Sequence, residues 1–300
     1  MTSLMNSKLQ SSSEVILMTG ASGFVGSHYL RKSVHEIDSI RPVSLQHTKL
    51  DQIDFSNVYS VLHLAGIAHR MEKTEDQIYY DVNHKLTLDF ALHCKQAGVE
   101  HFIYMSTIKV YGDSNELLTL ETPCVPNDAY GKSKLLAETE LMRLSDQNFK
   151  VAIIRPPLIY GPEVKGNLKR LTEWVDSRSI IPLGGIKNKR SIVGIENLIS
   201  LIDKIIERRA EGIFLIQDKA PISTTELIES IAKVKGSKIR LIKIPAFLRT
   251  ILKLIKPDIH KRLFGTLIVD DSQTKIELNF EHPYTTEQGL RLMINRKDDK

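Results

Sequence analysis

The side chains best suited to chemistry in this 300-residue chain are a tyrosine, a lysine and a threonine. Tyr130 and Lys134 stand four positions apart in Tyr130-Gly131-Lys132-Ser133-Lys134 and share one face if the segment is helical. A free phenol titrates at about 10, too high for proton transfer at neutral pH. An ammonium fixed beside it favours phenolate and lowers that value. A hydroxyl such as Thr107 can hold a substrate oxygen and share its proton. The three groups make an acid–base device that moves a proton on or off a hydroxyl-bearing carbon while hydride passes to a nicotinamide. A Tyr–Lys pair alone says little, because this spacing is common on helices. Its meaning depends on a cofactor motif upstream.

That motif lies near the amino terminus. An apolar run, Val15-Ile16-Leu17-Met18, ends in Thr19-Gly20-Ala21-Ser22-Gly23-Phe24-Val25-Gly26. This reads as strand, tight turn and helix. Gly20 serves the turn, Gly23 leaves backbone open to a ligand, and Gly26 lets the helix sit close to its strand. The N–H groups at the helix start, backed by its dipole, suit a pyrophosphate. The context of strand before and helix after is what the dinucleotide fingerprint requires.

The elements that must position these groups follow in order. A first helix is predicted over 24–34 and a strand over 40–45. No acid closes that strand near Ser44, whereas Arg41, His47 and Lys49 are close, a pattern leaning to NADP over NAD. Asp51 and Asp54 read as adenine-side contacts or as surface. Val61-Leu62-His63-Leu64-Ala65-Gly66 reads as a buried strand ending in small residues, with His63 packed rather than reactive. A long helix is predicted over 75–97 and includes Asn83. A strand over 102–105 ends in Ser106-Thr107, and Pro126-Asn127-Asp128 precedes the helix that Tyr130 opens. Further helices are predicted over 168–178, 196–208 and 224–234, with strands over 213–216 and 240–244. Pro245 to Phe264 reads as a helical hairpin with a wet basic face, in preference to a membrane-surface segment.

Composition bounds the function. With 42% hydrophobic residues a large core is affordable. No run is apolar enough to span a membrane. Cys94 and Cys124 have no metal-ligand spacing, so neither a zinc site nor a disulfide framework is expected, and the cytosol is the expected compartment. The formal charge of +5 reads as spread along the chain, a solvated surface rather than a nucleic-acid site. Met1 to Ser13 reads as a loose tail, and Arg296 to Lys300 as a frayed end.

Five ordered motifs over roughly residues 15–200 make the chain resemble an extended short-chain dehydrogenase/reductase of the nucleotide-sugar epimerase/dehydratase family. They are Thr19–Gly26 (TGxxGxxG), His63-Leu64-Ala65-Gly66, Ser106-Thr107-Ile108-Lys109-Val110-Tyr111-Gly112, Tyr130-x-x-x-Lys134, and Arg155-Pro156-Pro157-Leu158-Ile159-Tyr160-Gly161-Pro162. The resemblance implies an α/β fold, a Rossmann-type doubly wound parallel sheet with a small C-terminal substrate lobe. It implies Tyr130 as acid/base, Lys134 on the nicotinamide ribose, and Thr107 orienting substrate, while Tyr111 packs. The implied cofactor set is Gly20, Ser22, Gly23, Phe24, Val25, Gly26, Leu64, Ala65, Gly66, Tyr130, Lys134 and Pro157, for NAD or NADP. The implied substrate contacts are Asn83, Thr107, Asn167 and Arg190, the last gripping a diphosphate. Homodimerisation through the helices carrying Tyr130 and Asn83 is implied as well.

Two departures refine this. Only 18 residues separate Ser44 from Leu62, so one strand or helix of the cofactor half is expected to be trimmed. Ile108 and Lys109 stand where the family's dehydratases carry an Asp-Glu pair, which disfavours dehydration. The expected division is a tail over 1–13, a dinucleotide domain over 14–162 with 190–217 returning to it, and a substrate lobe of 163–189 and 218–300. The expected activity is oxidoreduction at C4 of a nucleotide-diphosphate sugar. Reduction of a UDP-4-keto-6-deoxy-N-acetylhexosamine for surface polysaccharide is preferred over 4-epimerisation with retained NAD, and both over a cofactor-bound regulator without turnover.

Overall fold

A computed structural model of the chain describes residues 14–67, 75–113 and 116–295. The tail expected over 1–13 and the end over 296–300 lie outside the described residues. Six strands form one all-parallel sheet. In spatial order they are Gly212–Leu215, Lys150–Arg155, His101–Met105, Val58–His63, Val15–Thr19 and Ile40–Val43. Side chains alternate across a strand, and both faces of this sheet are covered, so the strands read as unbroken apolar runs. Ile16, Met18, Leu62, Ile103 and Ile154 pack on one face against Tyr29 of helix Phe24–Lys32 and the apolar stripe of helix Ile195–Arg208. Leu17, Val61, Phe102, Tyr104 and Ile153 pack on the other, against Phe90 and Cys94 of helix Thr87–Gln96 and Ala137 and Leu141 of helix Ala129–Leu144.

The trimming expected after Ser44 is visible. Doubly wound dinucleotide folds commonly order their strands 3-2-1-4-5-6. Here the third strand of that order is missing. Only a single helical turn, Leu50–Gln52, separates Val43 from Val58, and Ile40–Val43 becomes the sheet edge. Pro42 occupies that edge, where a missing N–H breaks no inner ladder. The strand order still reverses beside Val15–Thr19, and the crevice at the carboxyl ends of Val15–Thr19 and Val58–His63 is preserved.

Two elements differ from the sequence reading. The long helix is interrupted: Asp76–Tyr80 is α-helical, Asp81–Leu86 is a π-helical segment, and Thr87–Gln96 resumes the α-helix. Asn83 sits on the π segment, a feature common at functional sites. The hairpin forms from helices Ala246–Ile255 and Pro257–Phe264. Its exposed surface, however, is not only basic: neither helix buries a residue, and large apolar side chains stand in solvent.

The second lobe has its own core, with Leu183, Ile228, Ile231 and Leu290 among its buried residues. It is joined to the sheet side by Tyr160, whose hydroxyl donates to Asp218 (2.6 Å). Asp218 in turn accepts from Gly194 N (2.9 Å) and Asn197 Nδ2 (2.8 Å). Leu278 and Phe280 join the core of the main sheet, and Leu215 N donates to Thr274 Oγ1 (3.0 Å).

Candidate active site

The glycine turn fits a dinucleotide. Gly20 has φ of +72°, and a Cβ there would lie 2.7 Å from Ala65 N, so only glycine lets the two loops of the crevice touch. Helix Phe24–Lys32 begins at Gly23 with no side-chain cap and no acid in its first turn. Its first N–H groups and its dipole are thus left for an anion. The second loop is held by a polar relay. Thr19 Oγ1 accepts from Ala65 N (3.1 Å) and bonds His63 Nδ1 (2.9 Å), and His63 Nε2 bonds Thr87 Oγ1 (3.0 Å). Burial, with the Lys134 charge adding to it, pushes His63 down to about 3. It is a neutral bracing group among Phe90, Phe102 and Tyr104, as its packed reading requires.

Thr107 and Tyr130 meet because two turns are pressed together. Asp128 caps the Tyr130 helix through Gly131 N (2.7 Å). A Cβ on Gly131 would come within 2.8 Å of Lys109 O, so glycine sets the close approach of this helix to the turn that Thr107 starts. Thr107 is itself a cap, accepting from Lys109 N (3.2 Å), and its side chain hydrogen-bonds the Tyr130 phenol. Tyr79 meets the Tyr130 ring edge-on, 6.0 Å between centroids.

In the protein alone the Tyr130 phenol is governed first by its burial and then by Thr107. Burial raises the phenol to about 12, and the hydrogen bond from Thr107 is what pulls it back. The Lys134 ammonium is held at the strand end. Nζ donates to Met105 O (2.9 Å) and lies 4.5 Å from the centre of the Tyr104 ring. A Cβ on Gly66 would sit 3.3 Å from this Nζ, so Lys134 stands at the mouth of the cofactor crevice. Burial lowers Lys134 to about 8, against the pull of Glu138. In the protein alone its ammonium thus lies between the strand end at Met105 and the loop at Gly66.

Asn83 is close by, but its amide is committed. Oδ1 accepts from Ile67 N (2.7 Å), and Nδ2 donates to Ile67 O (3.0 Å) and Ser133 Oγ (3.3 Å). In the protein alone it braces the loop after Gly66 against the Lys134 helix. Ser22 and Gly23 are exposed, Phe24, Val25, Leu64 and Ala65 half-buried, and Gly26 and Pro157 buried. Asn167 is exposed at the start of helix Asn167–Ser177 in the other lobe. Arg190 donates to Gly265 O (3.2 Å) and Lys261 O (3.4 Å), so part of its guanidinium ties the hairpin down. Arg41, offered above as a 2′-phosphate partner, is engaged with Asp54 (3.0 Å) and with Ser56 O (3.2 Å). That removes one reason for NADP, and it accounts for Asp54 as well.

A buried network behind the site escaped the sequence reading. Ser106 Oγ donates to Glu138. Arg155 Nε reaches both Glu138 oxygens (3.1 and 3.2 Å), and Nη1 donates to the Tyr111 hydroxyl (2.7 Å). Glu138 is two helical turns past Tyr130, and that spacing was the available signal. Tyr111 packs under the guanidinium, 4.8 Å from the ring centre, as its packing role requires. Among the described residues no cluster of three or more metal-ligating side chains occurs.

The chain is 33% identical to a UDP-glucose 4-epimerase of Vibrio cholerae, over 92% of this chain and 93% of that one. It is 26% identical to the N-acetyl-alpha-D-glucosaminyl-diphospho-ditrans,octacis-undecaprenol 4-epimerase of Escherichia coli O157:H7, over 92% of each. The fold is shared with a UDP-glucuronic acid 4-epimerase from Bacillus cereus in complex with NAD, with a TM-score of 0.72 at 19% identity, over 93% of this chain and 96% of that one. The sequence model of the NAD dependent epimerase/dehydratase family matches residues 16–216, the region that holds the glycine turn, Thr107, Tyr130 and Lys134. With motif, fold and crevice in agreement, the chain is a NAD-dependent enzyme and belongs to the NAD dependent epimerase/dehydratase family.

Proposed function

We propose that this enzyme inverts C4 of a UDP-hexose or UDP-N-acetylhexosamine, keeping its NAD between turnovers, to supply a sugar for surface polysaccharide. The observation that carries the reading is the hydrogen-bonded Thr107–Tyr130 pair beside the glycine turn, with Lys134 at the crevice mouth. The sequence alone favoured a one-way 4-ketoreductase, because no cofactor-retaining feature is visible in it. Likeness over nine-tenths of the chain to a UDP-glucose 4-epimerase favours the other outcome of the same residues.

Each group then has one task. Tyr130 takes the proton of the C4 hydroxyl in its phenolate form, which the Thr107 hydrogen bond and the Lys134 ammonium one helical turn away favour, and Thr107 holds the substrate oxygen. The bound nicotinamide supplies a hydride acceptor and donor at C4. Lys134 holds the ribose, and the start of helix Phe24–Lys32 holds the pyrophosphate. Once C4 is a ketone, the sugar presents its other face, and Tyr130 returns the proton. Ile108 and Lys109 stand in place of the dehydratases' carboxylates, which disfavours removal of water across C5 and C6.

The test is direct. Purified protein is incubated with UDP-glucose and with UDP-N-acetylglucosamine, without added dinucleotide, and the C4 epimer is sought by chromatography. Acid release of NAD from the protein, together with epimer formation, is the expected result. Stoichiometric consumption of NAD(P)H by a 4-keto sugar, with no epimer from either substrate, would replace this reading with the reductase.

A further inference from the structure

Helix Ala246–Ile255 has no buried residue, and its large apolar side chains Phe247, Leu248, Ile251, Leu254 and Ile255 are all exposed. Leu254 is 77% and Ile255 69% exposed. At 100° per residue these five fall within an arc of about 120°. Arg249 and Lys253 lie on the opposite side. Arg249 faces the second helix of the hairpin, 4.8 Å from the centre of the Phe264 ring. The hairpin therefore packs on itself through its polar side and turns its apolar side outward. Ile259 of the second helix is exposed as well.

Charge identifies what such a face would meet. Residues 243–262 hold Lys243, Arg249, Lys253, Lys256, Lys261 and Arg262 against Asp258 alone. They account for six of the 41 basic side chains and one of the 36 acidic ones, so the remainder carries 35 of each. This twenty-residue stretch therefore carries a formal net charge of +5, six basic side chains less one acidic. An apolar arc backed by basic side chains is the pattern of a helix lying in an anionic lipid interface. No helix among the described residues is long and apolar enough to cross a membrane, so the contact is in the plane of the surface.

We propose that the hairpin Ala246–Phe264 docks this enzyme on an anionic membrane surface. The hairpin is not a loose appendage. Arg190 and Asn188 bind its last turn and the loop beyond, through Lys261 O, Leu263 O and Gly265 O (3.0–3.4 Å). Docking thus fixes the orientation of the substrate lobe toward the lipid surface. The inference is independent of which sugar is epimerised.

Flotation of the full-length protein with vesicles tests it. Binding is expected to phosphatidylcholine vesicles that contain phosphatidylglycerol, and to weaken with salt. The double variant Leu254→Ser/Ile255→Ser should lose at least about tenfold in vesicle affinity. Its melting temperature and turnover of a soluble UDP-sugar should be unchanged, because both side chains stand in solvent outside the catalytic groups. Lys253→Glu/Lys256→Glu should reduce binding to the anionic vesicles selectively. Absence of wild-type flotation, or equal flotation of the Leu254/Ile255 variant, overturns the proposal. So does concentration-dependent self-association that the same variant abolishes without any vesicle binding, since the face would then belong to a second copy.

Discussion

The carboxyl end of the sheet and the hairpin at 246–264 treat side chains in opposite ways. At the sheet end, polar groups are buried and each is answered: His63 by Thr19 and Thr87, Asn83 by Ile67 and Ser133, Glu138 by Arg155 and Ser106. In the hairpin, apolar groups are exposed and the protein answers none of the five on the outer arc. Burying a polar group is costly unless it is hydrogen-bonded, so the first region fixes geometry at the expense of tolerance. Large apolar surface in water contributes nothing to folding, so the second region is free to change without unfolding the chain. The difference separates a site that must hold atoms still from a surface that must meet something else.

The strongest way to break this contrast is at Tyr130. Tyr130→Phe removes one hydroxyl and leaves the ring against Tyr79. Turnover is expected to fall roughly 10²- to 10⁴-fold. Dinucleotide affinity, read by titration of the apoprotein, should change little, because Lys134 and the glycine turn remain. Equal turnover in the variant would take the phenol out of the mechanism and leave the buried site without a proton carrier.

A second substitution acts on the network behind the site. Arg155→Met leaves the Glu138 carboxylate buried beside Ser106 without its cation. Removing one partner of a buried pair typically costs about 3–5 kcal/mol. Urea unfolding should show that loss. The same measurement on Ile251→Ala in the hairpin should move stability by no more than about 0.5 kcal/mol. A cost for Arg155→Met as small as that of the hairpin variant would mean the network contributes no rigidity.

The two regions also differ in how far the sequence disclosed them. The glycine turn, Thr107, Tyr130 and Lys134 are legible because their chemistry depends on local spacing: a turn before a helix, two residues on one face, a hydroxyl after a strand. The missing sheet strand was legible from the short Ser44–Leu62 interval. What spacing could not show was who pairs with whom. Lys134 was expected to tune the phenol, and spacing gave no hint that its ammonium also donates to Met105 O, 29 positions away. The resemblance put Asn83 near the site, but the π-helical segment that turns its amide to Ile67 has no periodic signal. The exposed arc of the hairpin was hidden for the opposite reason. Its apolar residues recur with helical period, and periodicity reports a face without saying whether anything covers it.

Acid sharpens the same comparison with a smaller effect. His63 and His101 are buried in the sheet region, where desolvation lowers them to about 3 and about 4. An unfolded histidine titrates at about 6.5. Above that pH both are neutral in either state, and their contribution is complete. As pH falls below it, the unfolded chain takes up two protons that the folded chain refuses, so stability is lost until pH approaches the folded values. Midway, near pH 5, the two together give a slope of about 2.7 kcal/mol per pH unit. His101→Gln, with its strand position at Ser60 and Ala210 kept, should reduce that slope by about half. Urea midpoints followed between pH 7 and 5 by circular dichroism read it. A pH-independent midpoint over that range would show that water reaches these rings, and that the sheet end is not the dry, fixed region its hydrogen bonds describe.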